Sequence, residues 1–298
     1  MIPLLNGLSP ISITMYNYFR IFIFILSLLC FNQKSFSNDK RTFAFDKFSK
    51  TEFQFAVVAI VSGDWLDVFE CTGLLIDSHH VVTAAHCVCG KDQLAVFYGL
   101  NVYSELEKGK GPGPSGTWGY ENISAVEGYQ LHPETSCTDL VEERYKNDIA
   151  VIRIKENWLG FMTLAPPSPQ QADFIVEAIV KDRVKGSFYG VSFGVTTKSD
   201  QPGLRHWYNL ELDACPEDMA DSIGCHYKID YISNRDHSND TCLGDSGGPV
   251  YYIYNDHPVM VAVTSRGRRD SSTVCRQGGV YNSILDSVTV KWLNSFEE

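Results

Sequence analysis

From about Phe53 the chain runs as a series of short segments rich in β-branched and aromatic residues, each closed by turn-forming residues. Ala56–Val61, Leu74–Ile76, His80–Thr83, Leu94–Tyr98 and Asp148–Ile154 come first; Phe174–Val180, Phe188–Val195, Trp207–Leu212, Val250–Tyr254 and Val259–Thr264 follow. Segments of this length suit strands, and many of them at fairly regular spacing predict an all-β barrel or sandwich. Between the two groups stands Ala165-Pro166-Pro167-Ser168-Pro169, a break that predicts a crossing between two halves. Lys108 to Gly119, with five glycines and two prolines, reads as a surface loop. One helix is predicted, Asn282 to Phe296, with Ile284, Val288 and Trp292 on one face.

The amino terminus reads as an address. Arg20 precedes an apolar run of eleven residues, Ile21 to Phe31, followed by the small-residue pattern Ser35-Phe36-Ser37. A membrane span needs roughly 20 apolar residues. The charged flank, short apolar core and small-residue site instead predict a secretory signal peptide over residues 1–37, with 38–41 as a short propeptide. Without residues 1–41 the chain carries 21 basic and 35 acidic residues, a net −14, and keeps eight of its nine cysteines. An even cysteine count behind a signal peptide predicts four disulfides and a secreted, extracellular protein. The acidic balance excludes nucleic acid, whose phosphates need a basic stripe. No membrane association is expected after signal removal.

Three segments carry chemistry. Thr83-Ala84-Ala85-His86-Cys87 closes an apolar strand, Asn147-Asp148-Ile149-Ala150-Val151 opens another, and Gly244-Asp245-Ser246-Gly247-Gly248-Pro249 is a glycine-rich turn into a third. A serine hydroxyl is a poor nucleophile at neutral pH and needs an adjacent base. Histidine can serve, since its unperturbed pKa is about 6.5. A buried carboxylate then fixes the imidazole tautomer, and glycines let backbone amides turn toward a developing oxyanion.

In sequence and chain order these segments resemble the chymotrypsin–trypsin family of serine proteases. The resemblance implies two antiparallel six-stranded β-barrels packed face to face, about 42–165 and about 166–298, with a C-terminal helix. It implies a triad in which His86 is general base and acid, Asp148 orients it and Ser246 attacks. The oxyanion hole would be the amides of Gly244 and Ser246. It also implies the disulfides Cys71–Cys87, Cys242–Cys275 and Cys215–Cys225, the last with altered spacing, and leaves Cys89 and Cys137 as the remaining pair.

The same resemblance places Asp240 at the base of the primary pocket, which implies cleavage after Arg or Lys because a buried carboxylate needs a cationic partner. Gly267 and Gly279 match its walls, and Ser265 with Gly267 matches the segment that pairs with substrate backbone as an added strand. Between them Arg266 stands where the family usually has tryptophan, with Arg268 and Arg269 beyond, and this substitution of charge for an aromatic shelf leads us to expect a preference for acidic residues before the cut. Activation would follow cleavage after Arg41, freeing Thr42 to pair with Asp245. The new terminus, Thr42-Phe43-Ala44-Phe45, lacks the isoleucine and glycines usual there. Asn122-Ile123-Ser124 is the better of two glycosylation sequons, because Asn239-Asp240-Thr241 would crowd the pocket.

Polypeptide substrates and protein protease inhibitors are the expected partners, and a monomer the expected state. Glu105 and Glu107 lie in a loop where some relatives bind calcium, but calcium wants roughly six oxygens; no metal and no cofactor are expected. A second class of function is a poorly active homologue that binds a partner or acts as a decoy, against which the three complete segments argue. An esterase of another fold would place its nucleophile ahead of the acid and the histidine, the reverse of the order here.

Overall fold

An unbroken apolar run suits a strand buried on both faces, and β1 (Val57–Ser62) is such a strand, with all six residues buried. The computed structural model describes residues 52–62, 68–103, 123–141, 145–155, 158, 162–182, 188–195, 202–233, 241–254, 257–271, 275 and 277–296. β1 pairs antiparallel with β2 (Val68–Leu75) on one side and β4 (Ala95–Phe97) on the other. β3 (His80–Thr83), β6 (Ala150–Ile154) and β5 (Ile123–Leu131) complete the ring in the order β1-β2-β3-β6-β5-β4. Closure leaves no sheet edge exposed to pairing.

The second sheet has seven strands: β7 (Phe188–Ser192), β8 (His206–Leu210), β9 (Leu212–Ala214), β10 (Asp230–Ser233), β11 (Pro249–Tyr254), β12 (His257–Gly267) and β13 (Gly279–Ser283), in the order β8-β7-β11-β12-β13-β10-β9. Its outer strands β8 and β9 are successive pieces of one run, interrupted at Glu211 alone. That run leaves β7 and joins β10, so six lengths of chain build the second barrel. Both barrels lie in one compact unit, residues 48–298. They are tied where Arg205 Nη1 donates to Val57 O at 3.3 Å and Thr72 N donates to Ser246 O at 2.8 Å.

All four expected disulfides are formed: Cys71–Cys87, Cys215–Cys225 and Cys242–Cys275, implied by the resemblance, and the remaining pair Cys89–Cys137. Cys215 and Cys225 sit in a small buried cluster with Ile223, Ile232 and Val280, beneath β10 and β13.

The strand expected at Phe174–Val180 is a helix. It belongs to α2 (Pro169–Asp182), which follows a short α1 (Cys137–Val141). Ser168 N donates to Gln171 Oε1 at 2.9 Å while Gln171 N donates to Ser168 Oγ at 3.3 Å, a reciprocal capping box with proline at the first helical position. Ala172 and Ile175 are buried and Phe174 and Val176 face outward, so the apolar run is divided between two faces.

The C-terminal helix is also shorter than expected. Asn282 and Ser283 are claimed by β13, and α4 (Ser287–Leu293, after α3 at Ala220–Ile223) begins only where Asp286 accepts from the amides of Val288 and Thr289. Its packed residues are Thr289, Val290 and Leu293, whereas Val288 is exposed. A terminal 3-10 turn, Asn294–Phe296, reaches the linker between barrels through Asn294 Nδ2 to Pro167 O at 3.0 Å. No helix among the described residues is long and apolar enough to cross a membrane. The expected signal peptide, propeptide, Arg41, Thr42 and the loop from Lys108 to Gly119 lie outside the described residues.

Candidate active site

His86 sits in a one-turn 3-10 helix, Ala85–Cys87, that begins as soon as β3 ends. Ala85 and Cys87 point inward, and the Cys71–Cys87 bridge fastens the turn to β2, which leaves the imidazole partly open, its side chain 26% exposed. Asp148 lies just before β6 and is completely buried. Its Oδ1 accepts from His86 N at 2.9 Å and its Oδ2 accepts from His86 Nδ1 at 2.7 Å. Ser265 Oγ donates to the same Oδ2 at 2.6 Å. Burial alone would raise the Asp148 carboxyl, but the charge and hydrogen bonds of His86 and the Ser265 hydroxyl outweigh it and hold the group below its ordinary value of 3.8.

Ser246 stands in a turn that only glycines can make. Gly244 and Gly247 adopt φ of +91° and +80°. A Cβ on Gly244 would lie 2.2 Å from Phe69 Cε1, and one on Gly247 would lie 2.1 Å from Thr83 Oγ1 and 2.2 Å from Thr72 O. Thr72 of the first barrel holds the turn, its amide on Ser246 O and its Oγ1 donating to Gly244 O at 2.9 Å. Among the described residues, no acceptor engages the amides of Gly244 or Ser246. Ser246 and His86 line one cleft with Glu70, Lys91, Leu243 and Gly267; Lys91 Nζ is paired with Glu70 Oε2 at 2.8 Å.

Asp245 is buried under this turn. Its carboxylate accepts from Ser192 Oγ, from Gly194 N at 3.0 Å and from Cys242 N at 2.7 Å, with His206 Nε2 at 3.8 Å. Burial pushes the carboxyl up, and His206 and these donors only partly offset that.

Asp240 lies outside the described residues. Of the two glycines expected at the pocket walls, Gly279 is tightly packed: a Cβ there would meet Thr241 Oγ1 at 2.6 Å and the Tyr281 hydroxyl at 2.8 Å. Gly267 ends β12 opposite Gly279. Arg266 departs from expectation. Its guanidinium turns inward to Asp230 at 3.0 Å with only 14% of the side chain exposed. Arg268, 8% exposed, is paired with Asp270 at 2.9 Å. Two of the three arginines are therefore already paired, which takes up much of the free charge on which the expected acidic preference rests.

The Trypsin family profile matches residues 45–292. The chain belongs to the trypsin family. It is similar to the serine protease Hayan of Drosophila melanogaster (26% identity over 209 residues, 63% of this chain and 28% of that protein). It is also similar to a collagenase of Hypoderma lineatum (25% over 199 residues, 65% of each chain) and to chymotrypsin-like elastase family member 1 of Macaca fascicularis (24% over 245 residues, 81% of this chain and 83% of that protein). The chain spans about a quarter to two thirds of the length of several of these relatives.

For a trypsin-family chain, several residues around the site escape sequence reasoning. Asp230, Asn282 and Tyr145 join the His86 region only through the fold, and no local motif marks them. Asn282 Oδ1 accepts from Asp148 N at 2.7 Å, and the Tyr145 ring meets the His86 ring edge-on at 5.9 Å. Ser192 and His206, the partners of Asp245, are likewise unmarked. Cys71, His86 and Cys87 bring potential ligand atoms within 4.8 Å. The two sulfurs are bonded to each other, so they offer no thiolate to a metal. Glu105 and Glu107 lie outside the described residues.

Proposed function

We propose that this chain is a secreted serine endopeptidase that cleaves peptide bonds after Arg or Lys. The observation that carries the reading is the 2.7 Å bond from His86 Nδ1 to a fully buried Asp148, beside a glycine-shaped Ser246 turn. With its Nδ1 proton committed to Asp148, the imidazole presents Nε2 as a base. Ser246 Oγ attacks the scissile carbonyl carbon while Nε2 takes its proton, and the carbonyl oxygen becomes an oxyanion received by the amides of Gly244 and Ser246. Collapse breaks the C–N bond as His86 returns the proton to the leaving amine. Water, deprotonated by the same imidazole, then releases the acyl group.

On the resemblance, Asp240 supplies the carboxylate behind the Arg/Lys preference, and Gly267 and Gly279 leave room for the long side chain. Four disulfides suit an extracellular compartment. Activation is by cleavage after Arg41, with the Thr42 ammonium directed to Asp245. A second reading, a binding homologue with little turnover, rests on that terminus, since threonine fills an apolar pocket less well than isoleucine.

Matched chromogenic peptides ending in Arg, Lys or Phe separate the two readings, assayed before and after limited tryptic nicking. Arg and Lys turnover is expected to appear on nicking at Arg41, and Asp240→Ser is expected to lower it by about two to three orders of magnitude. Preference for Phe, or indifference to Asp240→Ser, would refute the specificity. Nicked, folded protein with no turnover would favour the binding homologue.

A further inference from the structure

The Asp148 carboxylate and its own amide are two points on one closed circuit of hydrogen bonds. Asp148 N donates to Asn282 Oδ1 at 2.7 Å. Asn282 Nδ2 donates to Asp230 Oδ1, and Asp230 Oδ2 accepts from Arg266 Nη2 at 3.0 Å. Arg266 Nη1 donates to Ser265 Oγ at 2.9 Å, and Ser265 Oγ donates to Asp148 Oδ2 at 2.6 Å, which closes the circuit.

Two members of this circuit, Ser265 and Asn282, can hydrogen bond in either sense; Arg266, Asp230 and Asp148 cannot. A hydroxyl donates or accepts, and an amide side chain can be turned end for end. A guanidinium only donates and an ionised carboxylate only accepts. Since Arg266 donates to Ser265, the single hydroxyl proton of Ser265 is left for Asp148. Since Asp230 accepts from Asn282, the carbonyl of Asn282 is left for the Asp148 amide. Asp148 demands the same senses, since its carboxylate only accepts and its amide only donates, so the charged pair holds Ser265 and Asn282 in the orientation that Asp148 requires from both sides.

The backbone is shaped for this. The β12–β13 register slips between Thr264 and Arg266, a bulge at Ser265. In a regular strand neighbouring side chains point to opposite faces; the bulge re-aims them, so Ser265 and Arg266 bond to each other. Gly224 O, beside the Cys215–Cys225 bridge, accepts from Arg266 Nε at 3.0 Å and Nη2 at 2.6 Å. The guanidinium also lies 5.4 Å over the Tyr145 ring, whose edge contacts His86.

We propose that Arg266 and Asp230 are positioning residues, whose ion pair orients Ser265 and Asn282 and so holds Asp148, and through it His86, in the arrangement used for catalysis. The inference rests on the reading of His86, Asp148 and Ser246 as a peptidase site.

The test compares Arg266→Lys, which keeps a cationic donor, with the double variant Arg266→Met/Asp230→Asn, which removes both charges together and strands neither. Each is measured as the nicked full chain. Two readouts are used: steady-state kinetics, and the proton NMR resonance of the His86 Nδ1–H shared with Asp148, which needs no substrate. The double variant is expected to lose roughly 10- to 100-fold in kcat, the scale of a small misplacement of a reacting group. Its KM should stay within about twofold, and the His86 resonance should shift or broaden. Arg266→Lys should retain most of both. A double variant with wild-type kcat and resonance overturns the proposal, and so does one in which KM alone rises, which would make Arg266 a subsite residue. So does a lysine variant as damaged as the double. If the wild type shows the resonance but no serine-dependent turnover, the peptidase reading fails, while the response of the resonance still decides whether the pair positions Asp148.

Discussion

Asp148→Asn is expected to lower kcat by about 10^4-fold while leaving the barrels folded. The carboxylate receives three bonds, from the His86 amide, from His86 Nδ1 and from Ser265 Oγ. An asparagine at that site cannot accept all three, and its amide nitrogen facing His86 would impose the tautomer with the proton on Nε2. The imidazole would then meet Ser246 as a donor and could not take its proton. The same substitution has a consequence for stability. The Asp148 carboxyl is held below 3.8 in the fold, so its ionised form stabilises the protein above that value, and this contribution is lost as pH falls through the folded value. The variant should therefore be less stable than the parent at neutral pH, with the gap closing in acid. Steady-state kinetics and urea melts at several pH values check both halves; an unchanged kcat would remove Asp148 from the mechanism.

The second large effect is expected from the Cys71–Cys87 bridge. It spans sixteen residues, and a loop of that size confers about 3 kcal/mol through the unfolded state. For a chain of this size the corresponding fall in melting temperature is about 6–12 °C. The bridge also clamps the 3-10 turn bearing His86 to β2. Cys71→Ala/Cys87→Ala should lose activity beyond what unfolding explains, even below its melting temperature. Calorimetry and kinetics on the same preparation test this. An unchanged melting temperature, or full activity in the folded variant, would show that β3 and β6 position His86 without the bridge.

The parts of this molecule that sequence reveals are those whose chemistry is local. A glycine turn around Ser246, a histidine following an apolar strand and an aspartate leading one each declare themselves within a few residues, and the structure brings His86 and Ser246 to one cleft with Asp148 buried and bonded to His86. Three of the cysteine pairs follow from the resemblance, and Cys89–Cys137 is the pair that remains. Phe174 to Val180 misleads because β-branched composition is read without the cap. Ser168 and Gln171, with Pro169 between them, were the available signal for a helix start. β5, β10 and β13 are missed: much of β5 faces solvent, and the end of β13 is read as the start of the C-terminal helix. The Arg266 circuit is invisible in sequence. It joins residues as far apart as Asp148 and Asn282, and it depends on a bulge that turns two adjacent side chains toward each other. From sequence Arg266 reads as a surface charge facing substrate; it does line the cleft, and only its ion pair with Asp230 shows that the charge is already taken.

The central claim is that Ser246 is a nucleophile activated by His86. A fluorophosphonate tests it most directly, because serine attack on phosphorus expels fluoride and leaves a stable covalent adduct. Peptide mapping of the nicked protein should place one adduct on Ser246, with none in Ser246→Ala and strongly slowed labelling in Asp148→Asn. Folded, nicked protein that takes up no label, or a label that persists in Ser246→Ala, would contradict the account.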